Sequence, residues 1–233
     1  MCQDPLSGAS VSTIEGVSVV SVYDIKPGFQ NLLRPIVVIL ARRGATANQV
    51  TVAAMLLSIA TGIWILNDLH PLPFFASGEV DHAPEPRLLL AVPAVLMIRM
   101  ALNAIDGMLA REHDMKSNLG AILNELGDVI SDAALYLPLA YVAGFDPVLV
   151  VGLVIVGIIA EMTGVVAVQI GASRRYDGPM GKSDRALVIG LLCAIIGLGY
   201  DLSEWINSIL ALMIGLGVVT VMNRSRKSLQ ECQ

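Results

Sequence analysis

Residues 103–128 read NAIDGMLAREHDMKSNLGAILNELGD, from Asn103 to Asp128. They carry acids and amides at helical spacing, between segments apolar enough to cross a bilayer. Ionisable groups at membrane depth are costly and mark function by default. On a helix, Asn103, Asp106 and Ala110 share one face at i, i+3 and i+7, with Gly107 beside it. Gly120, Asn124, Asp128 and Asp132 share another face at steps of four. The connection between the two segments is short, so the helices are antiparallel neighbours whose faces can meet. At about 1.5 Å rise per residue, Asp106 lies roughly 7 Å inward from Arg111 and Asn103 roughly 12 Å. From Lys116, Asn124 lies roughly 12 Å inward and Asp128 roughly 18 Å.

Outward from this stretch, the chain has 233 residues, 55% hydrophobic and only 15% charged. Its mean hydropathy is +0.70. A soluble domain is usually about 25% charged. Apolar runs recur at about the 20 residues that a crossing helix needs. The expectation is an all-α, polytopic membrane protein with six spans, at 47–66, 88–111, 118–143, 147–172, 186–200 and 205–222. Thr46 and Asn48 suit a helix start, and the Gly144–Pro147 turn precedes the fourth span. Before the spans, Phe29, Leu32, Leu33, Ile36, Val37 and Leu40 line one face of a basic helix over 24–43, an amphipathic segment expected at the interface and kinked at Pro35. Residues 1–22 read as a flexible polar start without a signal peptide, and 23–233 as one membrane domain.

Lys26, Arg34, Arg42, Arg43, Arg111, Lys116, Arg174, Arg175, Lys182, Arg185, Arg224, Arg226 and Lys227 fall on one side of this arrangement, 13 of the chain's 15 basic residues. The positive-inside rule puts that side, and both termini, in the cytoplasm. The net charge of −5 decides nothing, because location matters here and the total does not. Cys2, Cys193 and Cys232 show no metal or disulfide spacing, and Cys193 reads as core. His70 and His82 fit solvated loop residues better than a zinc site, and His113 receives no role. Nucleic acid is not an expected partner.

Carboxylate and amide oxygens from two helices suit a hard cation such as Mg²⁺, whose coordination substrate phosphates often complete. Glycines 107 and 120 permit close approach, and Arg111 at the mouth suits a phosphate. The bland alternative, polar glue between helices, explains such a concentration of ionisable groups poorly. At these residues the chain resembles the CDP-alcohol phosphotransferases, whose signature is D-x2-D-G-x2-A-R-x8-G-x3-D-x3-D. Asp106, Gly107, Ala110, Arg111, Gly120 and Asp128 match it, while Asn103 and Asn124 stand where the family has Asp. The six-span layout and the amphipathic helix also resemble the family, over about 24–222.

The resemblance implies transfer of a phosphoalcohol group from CDP-diacylglycerol or another CDP-alcohol to an acceptor alcohol, releasing CMP, in phospholipid biosynthesis. It implies Mg²⁺ or Mn²⁺ held at Asp106, Asp128, Asn103 and Asn124. It implies a nucleotide side of Gly107, Ala110, Arg111 and Gly120, with Asp128 as catalytic base or ligand. It also implies a homodimer among membrane lipids, in a bacterial inner membrane, with the active site facing the cytoplasm.

The two asparagines leave the four metal positions with −2 instead of −4. One ion completed by substrate phosphates, charge support from Asp132 or Glu125, and an inactive nucleotide binder are three open readings. Arg99, deep in its span, is expected to pair with Glu161 or Asp132 or to meet substrate. The loop 172–186, with Arg174, Arg175, Lys182 and Arg185, reads either as a lipid-headgroup contact or as an anion site for an acceptor phosphate. Gly152, Gly157 and Gly164 read as helix packing or a dimer face. A small transporter remains the rival from another class, since intramembrane charges also line pathways.

Overall fold

The computed structural model describes residues 22–69 and 85–232. The polar start before residue 22 and both loop histidines, His70 and His82, lie outside the described residues. Among the described residues, seven α-helices follow one another: α1 (Val22–Arg42), α2 (Ala47–Leu69), α3 (Ala91–Glu112), α4 (Asn118–Tyr136), α5 (Pro147–Val166), α6 (Lys182–Gly197) and α7 (Ser203–Glu231). No strand occurs among the described residues. Six of the helices, α2 to α7, stand where six spans were expected.

Their ends follow from local chemistry. Thr46 and Gln49 cap α2 reciprocally: the Gln49 N–H donates to the Thr46 hydroxyl and the Thr46 N–H to the Gln49 side chain. Ser117 caps α4 by accepting from the Gly120 N–H at 2.9 Å. Asp146 caps α5 through Val148 and Leu149, with Pro147 at the first helical position. Pro138 lacks the N–H that α4 would need to continue, and the chain tightens there into the 3₁₀ turn Leu137–Tyr141. α1 continues through Pro35 to Arg42, so the proline does not end that helix.

Among the described residues, four helical segments are long and apolar enough to cross a membrane: Ala47–Leu69, Pro86–Glu112, Pro147–Ile170 and Ser203–Glu231. The other two differ for visible reasons. α4 carries Glu125, Asp128 and Asp132, and α6 has only 16 residues. The outer surface supports the membrane setting, since Trp64, Met97, Leu126, Val148, Met162 and Leu212 all point outward and are more than half exposed. Leaving such a side chain in water forgoes about 1.5–3 kcal/mol each, which lipid restores.

The main core joins α3 to α7 with the end of α2, around Ile65, Val92, Leu135, Leu153, Ile189, Cys193 and Leu210. Cys193 is fully buried there, as expected. A second cluster seats α1 on α2 and α3 through Leu33, Val37, Val50, Ile105, Met108 and Leu109. That contact, with the Arg34–Glu112 ion pair at 3.1 Å, fixes α1 across the end of the bundle from which the polar faces of α3 and α4 rise.

Candidate active site

The predicted acid face forms between α3 and α4, but each acid has a partner from elsewhere. Asp106 is 6% exposed, and its carboxylate accepts a 2.7 Å hydrogen bond from the hydroxyl of Thr51 on α2. Asn103 donates its amide to Asp128 Oδ1 at 3.2 Å, joining the two helices. Lys182, the first residue of α6, forms an ion pair with that same oxygen. Arg99 approaches it too: Nη2 lies 3.7 Å away, while Nη1 binds Asp132 at 2.8 Å. Arg99 Nη2 is buried without a hydrogen-bond partner and is aimed into this site.

Behind the acid face lies a second charged cluster. Glu161 on α5 meets three guanidinium groups, those of Arg174 at 3.2 Å, Arg185 at 3.2 Å and Arg224 at 3.4 Å. Arg174 also grips both oxygens of Glu125, at 2.9 and 2.7 Å. Burial works against the Arg174 charge, but its hydrogen bonds to Glu125 and Glu161 prevail and hold its pKa above the usual arginine range. Two glycines of α5 make room for these groups. A Cβ on Gly157 would sit 3.1 Å from Arg185 Nε, and one on Gly164 would strike the guanidinium of Arg174. The α5 glycines thus serve packing within this chain, with Gly152 against Ile214 of α7.

The 172–181 segment is held by α7. Arg224, 1% exposed, donates to the carbonyls of Ala160 and Asp177. Thr220 accepts from the Met180 N–H at 3.0 Å. Lys227 reaches Asp177 at 2.6 Å, and Glu231 binds Ser173 and Arg175. The hydrogen bond from Lys227, with the charge of Arg175 behind it, holds the Asp177 carboxyl below the usual carboxylate range.

Two openings meet at Lys182, which is ion-paired with Asp128. A polar cavity of about 320 Å³ is lined by Asn124, Glu125, Asp128, Glu161, Arg174, Tyr176, Lys182 and Arg224. An apolar groove of about 470 Å³ runs between α3 and α6, lined by Leu96, Met97, Met100, Leu187 and Leu191, with Arg99, Asn103 and Lys182 at its polar end.

Most of the predicted residues therefore converge. Asp106, Asn103, Asn124 and Asp128 share the site with Arg99, Glu125, Asp132, Glu161, Arg174, Lys182 and Arg185. Of the two partners expected for Arg99, the structure selects Asp132. Four other predicted residues meet neighbours of their own. Ala110 packs against the α1 cluster. Gly120 faces α2, where a Cβ would meet Asn48 Oδ1 at 2.6 Å. The exposed Arg111 folds back over Gly107. Arg175 is tied to Asp177 and Glu231. Sequence reasoning gave no role to Thr51 or Arg224. Arg224 had a signal, since Gly217, Thr220, Arg224 and Ser228 form one polar, small-residue stripe along an apolar helix, and all are buried. Thr51 had none beyond its polarity.

Among the described residues, no three of the classes His, Cys, Asp and Glu gather as a ready metal cluster. The donor set nevertheless fits one hard divalent cation. Asp106 and Asp128 supply charge, and Asn103 and Asn124 supply neutral side-chain oxygens on the same two helices.

Residues 44–222 match the sequence pattern of the family described as CDP-alcohol phosphatidyltransferase. Inner membrane protein YnbA of Escherichia coli (strain K12) is 42% identical over 209 residues, covering 90% of this chain and 96% of its own length. Archaetidylinositol phosphate synthase of Aeropyrum pernix is 29% identical over 133 residues, 56% of this chain and 68% of its own. Crystal structures of Mycobacterium tuberculosis phosphatidylinositol phosphate synthase share the fold at 19% identity. The form with manganese and citrate has a TM-score of 0.66 over 84% of this chain and 88% of its own. The form with CDP-DAG bound has 0.66 over 83% and 92%.

Proposed function

The chain belongs to the CDP-alcohol phosphatidyltransferase family, and from that premise we propose that it transfers a phosphatidyl group from CDP-diacylglycerol to the hydroxyl of an acceptor alcohol, releasing CMP. The observation that carries this reading is the junction of an apolar groove with a charged cavity at Lys182, beside Asp128. A donor with acyl tails and an anionic diphosphate needs both surfaces within a few ångströms. The groove between α3 and α6 suits the tails, and Arg99 Nη2, buried at its polar end without a hydrogen bond, suits a phosphate oxygen.

In this reading Asp128 accepts the proton of the acceptor hydroxyl on its carboxylate as the oxygen attacks the β-phosphorus. The new P–O bond forms while the bond to the bridging oxygen breaks, and CMP leaves with that electron pair. Asp106, oriented by Thr51, and Asp128 would hold the divalent cation together with Asn103 and Asn124. When bound, Mg²⁺ or Mn²⁺ would neutralise charge on the diphosphate, which is most of what phosphoryl transfer asks of an enzyme. Arg174 and Lys182 give the polar cavity its anion-binding side, where a phosphorylated acceptor fits; Arg185 lies behind them on Glu161. A homologous relative named as a synthase of an inositol phosphate lipid supports that acceptor class.

The proposed setting is an inner membrane, which the name of the Escherichia coli relative supports. All six helices α2 to α7 cross it, α1 lies at the interface, and the basic end with both termini and the site faces the cytoplasm. A homodimer is part of the proposal.

The test is CMP release by the purified chain with CDP-diacylglycerol, with and without Mg²⁺ or Mn²⁺, over a panel of alcohols and alcohol phosphates. Metal-dependent release that rises with one acceptor is expected and would name the product. No release from any pair, with CDP-diacylglycerol still bound, would replace the transferase by a lipid-binding protein.

A further inference from the structure

Three nitrogen groups surround one oxygen of Asp128. The Lys182 ammonium is ion-paired with Oδ1, the Asn103 amide donates to it at 3.2 Å, and Arg99 Nη2 lies at 3.7 Å. The nearby carboxylates are committed elsewhere. Glu125 gives both oxygens to Arg174, Asp132 is bound by Arg99, and Glu161 faces three arginines. None is left to restore the charge that Asn103 and Asn124 do not carry. Asp106 and Asp128 with Lys182 sum to −1, which cannot balance two divalent ions even with a diphosphate present. Asp106 differs from Asp128, since the side chain hydrogen-bonded to it is a neutral hydroxyl.

We infer that the Lys182 ammonium occupies, at Asp128, the place a second divalent ion would need, so that each chain takes one divalent ion, centred on Asp106. The inference rests on the metal-assisted reading above. Lys182 is here a positioning residue that balances charge through Asp128. Its place at the start of α6, after Gly181, lets it reach across to α4. The Gly181 N–H binds Asp184 at 2.9 Å and fixes that first turn. The two asparagines and the lysine then form one device: the amides remove acceptor charge, and the ammonium takes over neutralisation at Asp128.

The test is a Mn²⁺ titration of the full-length chain in detergent, without lipid, read by the spin resonance of free Mn²⁺. The wild-type chain is expected to bind one ion. Lys182→Gln should bind Mn²⁺ at least tenfold more tightly, a gain that damage to the fold would not produce, and Lys182→Arg should behave as wild type. Lys182→Gln combined with Asn103→Asp and Asn124→Asp should take a second ion per chain. Two ions on the wild-type chain, none, or an affinity of Lys182→Gln within twofold of wild type would overturn the inference. CMP release assayed on the same samples separates the two readings. One ion without turnover under any donor and acceptor pair removes the transferase and keeps the stoichiometry, whereas turnover with two ions does the reverse.

Discussion

Asp106 on α3 has one neutral hydroxyl as its hydrogen-bonding side-chain partner, whereas Glu161 on α5 is held by three guanidinium groups. Both are buried carboxylates in the same bundle. In the proposed site the first is left for a cation, while the second is neutralised by its own structure. A buried carboxylate that keeps its charge needs compensation. Where the protein supplies it in full, the group serves as a strut. Where it supplies only orientation, the group is left for a ligand. Asp128 stands between these cases, partly neutralised by Lys182 and still bordering the polar cavity.

This contrast can be broken in order of expected effect. Asp128→Asn removes the proposed proton acceptor and should lower CMP release by about 10²–10⁴-fold; unchanged release would take the base role away from Asp128. Glu161→Gln leaves Arg174, Arg185 and Arg224 facing one another across a neutral amide. Breaking a buried pair in this way costs about 3–5 kcal/mol, to be read as a drop in thermal unfolding midpoint. If the midpoint holds, the cluster is not a strut.

Thr51→Val keeps shape and removes the hydroxyl that orients Asp106. A lost hydrogen bond to a charged group is worth about 1.5–3 kcal/mol, so Mn²⁺ affinity should fall by roughly tenfold or more while the fold survives. Equal affinity would mean that Asp106 is positioned by packing alone. The smallest effect concerns the clamp on the inner segment. Asp177 is depressed by Lys227 and Arg175, so its contribution is fully present above the unfolded carboxylate pKa of about 3.9 and is lost as pH falls through the folded value. Protease cleavage within 172–181 should increase in that acid window, and Lys227→Met should flatten the pH dependence. An unchanged pH profile in Lys227→Met would show that other contacts close the segment.

The acid face was legible because α3 and α4 are neighbours in sequence and helical periodicity alone orders their side chains. Asn103, Asp106, Asn124 and Asp128 fall on those two faces for that reason, and α2, packed on both helices, holds the faces opposite each other. The basic cluster was only half legible. Arg174, Lys182 and Arg185 stood out as a charge-dense loop, but their carboxylate partners lie on α4 and α5. Glycines 107 and 120 and Ala110 matched the family signature, yet Gly120 packs on Asn48 and Ala110 on the α1 cluster.

The chain's composition and apolar periodicity determine by themselves a helical membrane bundle, and its signature stretch determines an acid face between α3 and α4, because both are set by steps of three and four residues along single helices. Only the tertiary structure decided that Arg99 pairs with Asp132, that Arg224 locks the inner segment, that Thr51 serves Asp106 and that Lys182 stands against Asp128. Each is a contact between different elements, set by how they pack. No helical period encodes such contacts; the packing of α2 on both α3 and α4, of α6 on α3 and of α7 on α5 creates them.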